Sequence, residues 1–461
     1  MIRYLSKTWF WFSIFVCLQF SSSQPGWTGQ TAGSSTSYSL LTLQEAIQMA
    51  LRYNPKITAA QSLLDASGAR VKEARSGLLP QLEVSENFTR TDSPVGVFSS
   101  KLNQGVFEQK DFEVDRLNNP NAINNFATNF TVTLPVFDSG QSWIGLSQAK
   151  LNQQAAIMAA TRTRQQVIAE TVFSYAGVQL AQENVRVVEQ ALKTARAHLK
   201  LIRSRHASGL VLKSDLLRAE VRLAQVEQER LQAQSELEIA RAALSAAMGL
   251  RVHQVFRLPP SPQAERQLQN SLEDWLQKAV EHRPDLARLK YEEMMASKEV
   301  AKAKSAHLPS LHFTGNYQIN TEDFSNSEDN YSVGATLSLN LYSGYNLQAR
   351  VAEARARLAQ MQAKRQQLEL GIAVETRRSY LEAQSSWQCM QVARGAIAQA
   401  EEGLRIVSNR YKNGLNTIVN LLDAEVALQQ ARRNYSRARH DYTVARARLA
   451  LAAGTLQENF H

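Results

Sequence analysis

Eight histidines and two cysteines are the side chains in this 461-residue sequence best suited to hold a metal or attack a substrate. Their spacing assembles neither. His198, His206, His253 and His307 stand apart, with no second ligand at the intervals of a metal site, so no metal is expected. No glycine-rich phosphate loop, Cys-X-X-Cys pair or nucleophile elbow occurs, so neither a cofactor nor an enzymatic activity is expected. The carboxylates have basic residues within one helical turn, which is ordinary surface pairing. The net charge is +10, but the basic residues are interleaved with Glu and Gln rather than clustered with aromatics. A solvated helix surface fits that pattern better than a nucleic-acid face, and no nucleic-acid partner is expected. What remains are two glycines, Gly209 and Gly414, each followed by a leucine where one helical pattern stops and another begins.

The first residues read as an export signal. Arg3 and Lys7 precede an apolar run from Thr8 to Phe20, and Ser21 and Ser23 suit cleavage before Gln24. That run falls short of the roughly 20 residues a spanning helix needs. Cys17 raises the alternative of lipidation, but Val16 stands where a small residue is expected. Without Cys17, Cys389 has no disulfide partner and is read as a buried, inert thiol. Charged and amide residues interrupt every later apolar stretch, so no transmembrane helix is expected.

The elements that must position any functional residue are written twice. TLQEAIQMALRYNPKI from Thr42 aligns with SLEDWLQKAVEHRPDL from Ser271, and the register continues to Leu79-Pro80 and Leu308-Pro309. A second register aligns Ser174-Tyr175 with Ser379-Tyr380, Gly209 with Gly414, and Gly249 with Gly454. The expected organisation is a signal at 1–23, a first repeat at 24–257, a proline-rich linker at 258–270 and a second repeat at 271–461.

Each repeat alternates two periodicities. Tyr331 to Tyr342 and Phe126 to Phe137 place apolar and small polar residues on opposite faces, and Gln81 to Arg90 and Ser310 to Asn320 precede them as partners. Four strands of this kind suit a membrane barrel, and four cannot close one alone, so copies of the chain must share it. The insertion from Thr91 to Asn125 is read as a surface loop over the barrel. Heptad seams follow: Val188, Leu192, Ala195, Leu199 and Ile202, repeated at Ala393, Ile397, Ala400, Leu404 and Val407. Matching seams run from Leu223 to Ala247 and from Leu428 to Ala452, giving two antiparallel helical hairpins reversing at the glycines. The fold class is therefore α+β: a shared β-barrel continued by long antiparallel coiled coils, in two internal repeats.

The layout resembles the TolC-like outer-membrane efflux proteins across essentially the whole exported chain. LPVFDSG (Leu134 to Gly140), LNLYSG (Leu339 to Gly344) and the tips HASGLVLKSDLLRAE (His206 to Glu220) and RYKNGLNTIVNLLDAE (Arg410 to Glu425) carry the likeness. The resemblance implies a homotrimer in outer-membrane lipid, with twelve strands and a twelve-helix tunnel in the periplasm. It implies docking of a periplasmic membrane-fusion adaptor at Gly209, Leu210, Gly414 and Leu415, and an inner-membrane transporter of RND or ABC type. It also implies a gate. Of the family's two tip aspartates, the first is Asn420 here and the second is Asp423. Asp215 and Tyr411 match the family's closing acid and tyrosine, while Asn416 replaces its arginine. Asp215, beside Ser214, is also suited to capping the helix that follows the first tip. The implied function is a passive exit duct for small molecules, with polypeptide secretion as the alternative. A secreted structural coiled-coil protein is a third reading.

Overall fold

The computed structural model describes residues 40–252, 256–259 and 267–456. The signal at 1–23 and most of the proline-rich linker lie outside them, as does His253. In the first repeat, helices α1 (Leu43–Tyr53) and α2 (Pro55–Ser76) lead to strand β1 (Gln81–Thr91). Helix α3 (Pro94–Asn103), a 3-10 turn (Gln109–Phe112) and α4 (Val114–Asn118) precede β2 (Ile123–Phe137), α5 (Gln141–Ala207) and α6 (Lys213–Ala247). The second repeat gives α7 (Leu272–His282), α8 (Pro284–Ser305), β3 (Ser310–Thr321), β4 (Glu328–Ser338), α9 (Asn346–Lys412) and α10 (Ile418–Ala452). Corresponding helices have identical lengths, 11, 22, 67 and 35 residues. The duplication is complete down to the last turn.

The sheet is antiparallel in the order β1-β2-β3-β4. Its register stacks Val84, Phe130, Tyr317 and Tyr331 in one row and Leu82, Val132, Gly315 and Val333 in the next. The opposite face aligns Ser85, Asn129 and Gln318, and Thr131 donates to Asn316 across the strands at 3.0 Å. Strict alternation thus yields one apolar and one polar face, and no helix among the described residues covers the apolar one: Val84, Tyr331 and Leu337 are exposed. An 11-residue strand tilted by about 45° rises roughly 25 Å, the height of an outer-membrane apolar band. β4 ends at Ser338, earlier than Tyr342, because its partner β3 begins at Ser310 and leaves Leu339 and Leu341 nothing to pair with.

The insertion is more ordered than a plain surface loop. Lys101 pairs with Asp111 at 2.8 Å, Phe98, Phe107 and Phe112 pack edge to face, and buried Gln104 donates to the Asn124 carbonyl at 2.7 Å. These contacts fasten α3 to the start of β2.

Two consecutive residues in the left-handed region turn each repeat from strand into long helix: Ser139-Gly140 and Gly344-Tyr345. At 67 residues, α5 and α9 each extend about 100 Å. α2 and then α6 pack along α5, and α8 and then α10 along α9. Where α6 ends and α2 begins, Asn54 does two jobs. Its side chain accepts from the Lys56 N–H at 2.9 Å, capping α2, and donates to the Ala247 carbonyl of α6 at 2.8 Å. Arg283 occupies the same place in the second repeat, donating to the Ala452 carbonyl of α10 at 3.2 Å. This nearly buried guanidinium also binds Asp285 and Glu375, each at 2.5 Å. Burial alone would raise the Asp285 carboxyl, but the bond and charge of Arg283 outweigh it and hold the carboxyl below its ordinary range. The short helices therefore splice end to end into rods that run along most of the length of α5 and α9.

The seam of α5 is buried at Val188, Leu192, Ala195, Leu199 and Ile202. Its counterpart on α9 is only half-buried, because α5 lies between α6 and α10 while α9 has α10 alone along that stretch. α9 accordingly presents Leu370, Val374 and Val392 to the outside. Cys389, on the same helix, is exposed and not the buried thiol expected.

The splices fix the cost of a methyl group. A Cβ at Gly249 (φ +74°) would lie 2.4 Å from the Tyr53 carbonyl oxygen, whereas one at Gly209 (φ +70°) meets nothing within 4 Å. Gly249→Ala should therefore cost about 2 kcal/mol or more, combining backbone strain with collision, and Gly209→Ala about 1 kcal/mol from strain alone. Unfolding midpoints in detergent should rank wild type, Gly209→Ala, Gly249→Ala in falling order. Equal midpoints for the two variants would contradict the splice.

Candidate functional site

Both hairpins reverse by the same backbone device. At the first tip the N–H groups of Gly209 and Leu210 donate to the carbonyls of His206 and Arg205, each at 2.9 Å. At the second, Gly414 and Leu415 donate to Tyr411 (3.1 Å) and Arg410 (2.9 Å). These paired bonds end each helix through a residue of positive φ, 70° at Gly209 and 72° at Gly414, which glycine adopts without a Cβ penalty. The chain beyond each glycine projects apolar side chains outward: Leu210, Leu212 and Leu415 are each more than 70% exposed.

The expected gate residues gather at these tips, but not as one network. Tyr411 is buried among Leu199, Ile202, Ala219, Ile418 and Leu421, joining α5, α6 and α10. Burial pushes its hydroxyl above the ordinary tyrosine range; the charge of Arg205 opposes this and that of Asp215 adds to it. Asn416 turns inward on its own loop, accepting from the Thr417 N–H at 3.0 Å and from the Asn420 side chain. Thr417 caps α10. Asp423 is exposed one turn further along. Asp215 does not cap its helix: the N-cap of α6 is Leu212, and Asp215 lies in the first turn, where its charge complements the helix dipole.

The residue at the centre of this arrangement is one that the sequence pattern does not single out. Arg205 places its guanidinium 5.4 Å from the centre of the Tyr411 ring and donates to the Lys412 carbonyl at 3.1 Å and the Tyr411 carbonyl at 3.5 Å. A cation from the first tip thus closes the end of α9 at the second, where Asn416 has no charge to offer. Its signal was present as a basic residue in the last turn of a helix, but that position usually serves its own helix terminus. Above the tips, Nδ1 of His198 lies 2.6 Å from Oε1 of Glu425, and Glu229 takes both Gln429 and Arg433 at 2.6 Å. These contacts tie α5 and α6 to α10. Among the described residues no cluster of histidine, cysteine or carboxylate side chains is placed to hold a metal, and no helix is long and apolar enough to cross a membrane.

The outer membrane efflux protein family matches this sequence twice, over residues 46–250 and 275–455. The chain belongs to that family. The two matches coincide with the two structural repeats. Relatives include the Proteases secretion protein PrtF of Dickeya chrysanthemi, 24% identical over 93% of this chain and 90% of the relative. Outer membrane protein TolC of Vibrio cholerae is 24% identical over 90% of this chain and 91% of its own. Among solved structures, the outer membrane protein VceC of Vibrio cholerae superposes with a TM-score of 0.73 at 20% identity, covering 89% of this chain and 96% of that one. The MtrE channel of Neisseria gonorrhoeae gives 0.74 at 18% identity, covering 91% and 90%. The family and its members make this chain an outer-membrane exit duct of the efflux and type I secretion class, with its helices in the periplasm.

Removing the Arg205 side chain leaves the end of α9 without its clamp. Arg205→Ala should loosen the tip by about 1 kcal/mol, giving roughly fivefold faster amide hydrogen exchange at Gly414 and Leu415 with the sheet unaffected. Unchanged exchange at both amides would show that the contact holds nothing.

Proposed function

We propose that three copies of this chain form one passive conduit that carries small molecules across the outer membrane and periplasm, driven by an inner-membrane pump. The observation that carries the reading is the sheet: among the described residues it has four strands, an uncovered apolar face and two edges with no partner strand. Two copies would give eight strands, whose interior side chains fill; three give twelve and leave an aqueous bore. The apolar rows then meet lipid, and the polar rows, with Asn129, Thr131 and Asn316, line the channel. The exposed leucine and valine face of α9 receives the neighbouring copy. α5, α6, α9 and α10 of three copies supply a twelve-helix tunnel. The conduit performs no catalysis of its own and uses no metal or cofactor.

At the far end, Gly209, Leu210, Gly414 and Leu415 form the surface for a periplasmic adaptor, through which a transporter of RND or ABC type acts. Replacing both glycines with tryptophan should abolish efflux in cells lacking the wild-type protein while trimer and membrane insertion persist. Undiminished transport would remove the tips from the docking surface.

The closed mouth rests on Tyr411 packed within the tip, on Asp215 and on the tip leucines, with Asp423 forming one acidic ring and Asn420 and Asn416 neutral positions beside it. Three like charges brought together attract cations. Asp423→Asn should lower cation preference and weaken block by multivalent cations in planar-bilayer recordings, with Asn420→Ala nearly silent. Unaltered selectivity in the Asp423 variant would place that residue away from the bore. A second reading, an exit duct for secreted polypeptides, is favoured by PrtF and by the Alkaline protease secretion protein AprF of Pseudomonas aeruginosa, 24% identical over 91% of this chain.

A further inference from the structure

The connection between β1 and β2 runs from Asp92 to Ala122, whereas the matching one between β3 and β4 runs only from Glu322 to Ser327. Only the first repeat therefore carries α3, and the place of α3 on the sheet limits what it can do. Gln104, just beyond its last turn and 3% exposed, donates to the Asn124 carbonyl at 2.7 Å and to Oδ1 of Asn125 at 2.8 Å. Asn125 in turn donates to Oδ1 of Asn320 at 3.1 Å, and Asn320 is fully buried. Asn320 is paired with Glu328 of β4, whose side chain lies against Gly105: a Cβ there would come within 2.7 Å of it. The insertion thus leaves β1 and crosses β2 and β3 to reach β4.

These contacts lie on one face of the sheet. Asn125 is four residues before Asn129 and Asn320 two after Gln318, so alternation puts both on the polar face. Ala127 and Asn320, paired in one row of that face, are buried, whereas Asn129 and Gln318 in the next row are only half-buried. An open aqueous bore would leave both rows equally wet. The long helices all join the opposite end of the strands, so the covered row is at the outer end.

α3 also has a second stripe. Val97, Ser100 and Gln104 are buried along one side of it. Val95 and Leu102, two turns apart, stand on the opposite side and are 78% and 51% exposed. The helix therefore turns apolar side chains away from the polar face of the sheet. In a barrel with that face inside, they point toward the axis. Twelve strands spaced about 4.8 Å apart and tilted by about 45° enclose a backbone radius of roughly 13 Å. A helix with its side chains is about 10 Å across, so three of them against the inner wall have no room to stay apart.

We infer that the α3 helices of three copies meet through Val95 and Leu102 in an apolar collar that narrows the outer mouth of the channel. The inference rests on the trimeric conduit proposed above and adds a constriction at the end opposite the tips. Apolar constrictions resist wetting, so the collar impedes ions and polar solutes there. The Lys101–Asp111 pair and the packed rings of Phe98, Phe107 and Phe112 keep the insertion in shape.

Cross-linking of the full-length protein in lipid tests this. In a Cys389→Ser background, Val95→Cys and Leu102→Cys should each be bridged between copies by a short bismaleimide. Cys389→Ser alone should not be, nor should Val84→Cys on the lipid-facing row. Val95 and Leu102 are exposed within one chain, so neither substitution should disturb folding. In cells, Val95→Asp combined with Leu102→Asp should speed labelling of Asn129→Cys by a bulky maleimide added outside, by about tenfold or more. Native mass spectrometry separates the two readings. Trimers in which neither cysteine is bridged, or in which the double variant leaves labelling unchanged, would overturn the collar and leave the conduit standing. Monomers without trimers would overturn the conduit, and the collar with it.

Discussion

Along the outer edges of β1 and β4, backbone N–H and C=O groups find no partner strand among the described residues of one chain. Water satisfies such groups on a soluble protein, but hydrocarbon does not, and each orphan costs several kcal/mol there. Strand content, apolar facing and the uncovered sheet all follow from the same requirement. In the conduit proposed above, the fold is a fraction of a closed object, and its exposed surfaces meet the neighbouring copies. The outward leucines and valines of α9 and the exposed Cys389 have the same origin.

The second constraint is length. A tunnel that crosses the periplasm needs rods of many tens of ångströms, and the chain makes them in two ways. α5 and α9 run without interruption, and α6–α2 and α10–α8 are spliced from two pieces. The splice needs a side chain that caps one helix or neutralises its surroundings while donating to the end of the other. Asn54 and Arg283 meet that need by different chemistry, and Gly249 and Gly454 let the abutting backbones approach within a distance no Cβ tolerates. Duplication thus preserved geometry while the residues supplying it diverged, as the change from Lys56 paired with Glu170 to Asp285 paired with Arg283 also shows.

Much of this was legible in the sequence because periodicity is a local property. The heptad seams, the alternating strands and the tip glycines each announce themselves within a few residues, and the repeat confirms each by a second copy. What was not legible depends on partners distant in sequence. The limit of β4 at Ser338 is set by where β3 starts, and the burial of the α5 seam by α10, more than 200 residues away. Arg205 is the clearest case at the candidate site. Its own helix gives it a conventional place in the last turn, and only the packing of α9 against it makes it the clamp on Tyr411. Conversely, Asp215 matches the family's closing acid by position, while Asn416 stands where the family has an arginine and satisfies itself within its own loop. The insertion after β1 escaped for another reason: helices as short as α4 leave too few residues to establish a period.

In the proposed conduit the free edges of β1 and β4 are paired between copies. Amide hydrogen exchange of the protein reconstituted in lipid reads this directly, strand by strand. Outward-facing amides of β1 and β4 should be protected to the same degree as those of β2 and β3, which are paired within the chain. Rapid exchange along either edge, with β2 and β3 protected, would mean an open sheet and would contradict the shared barrel.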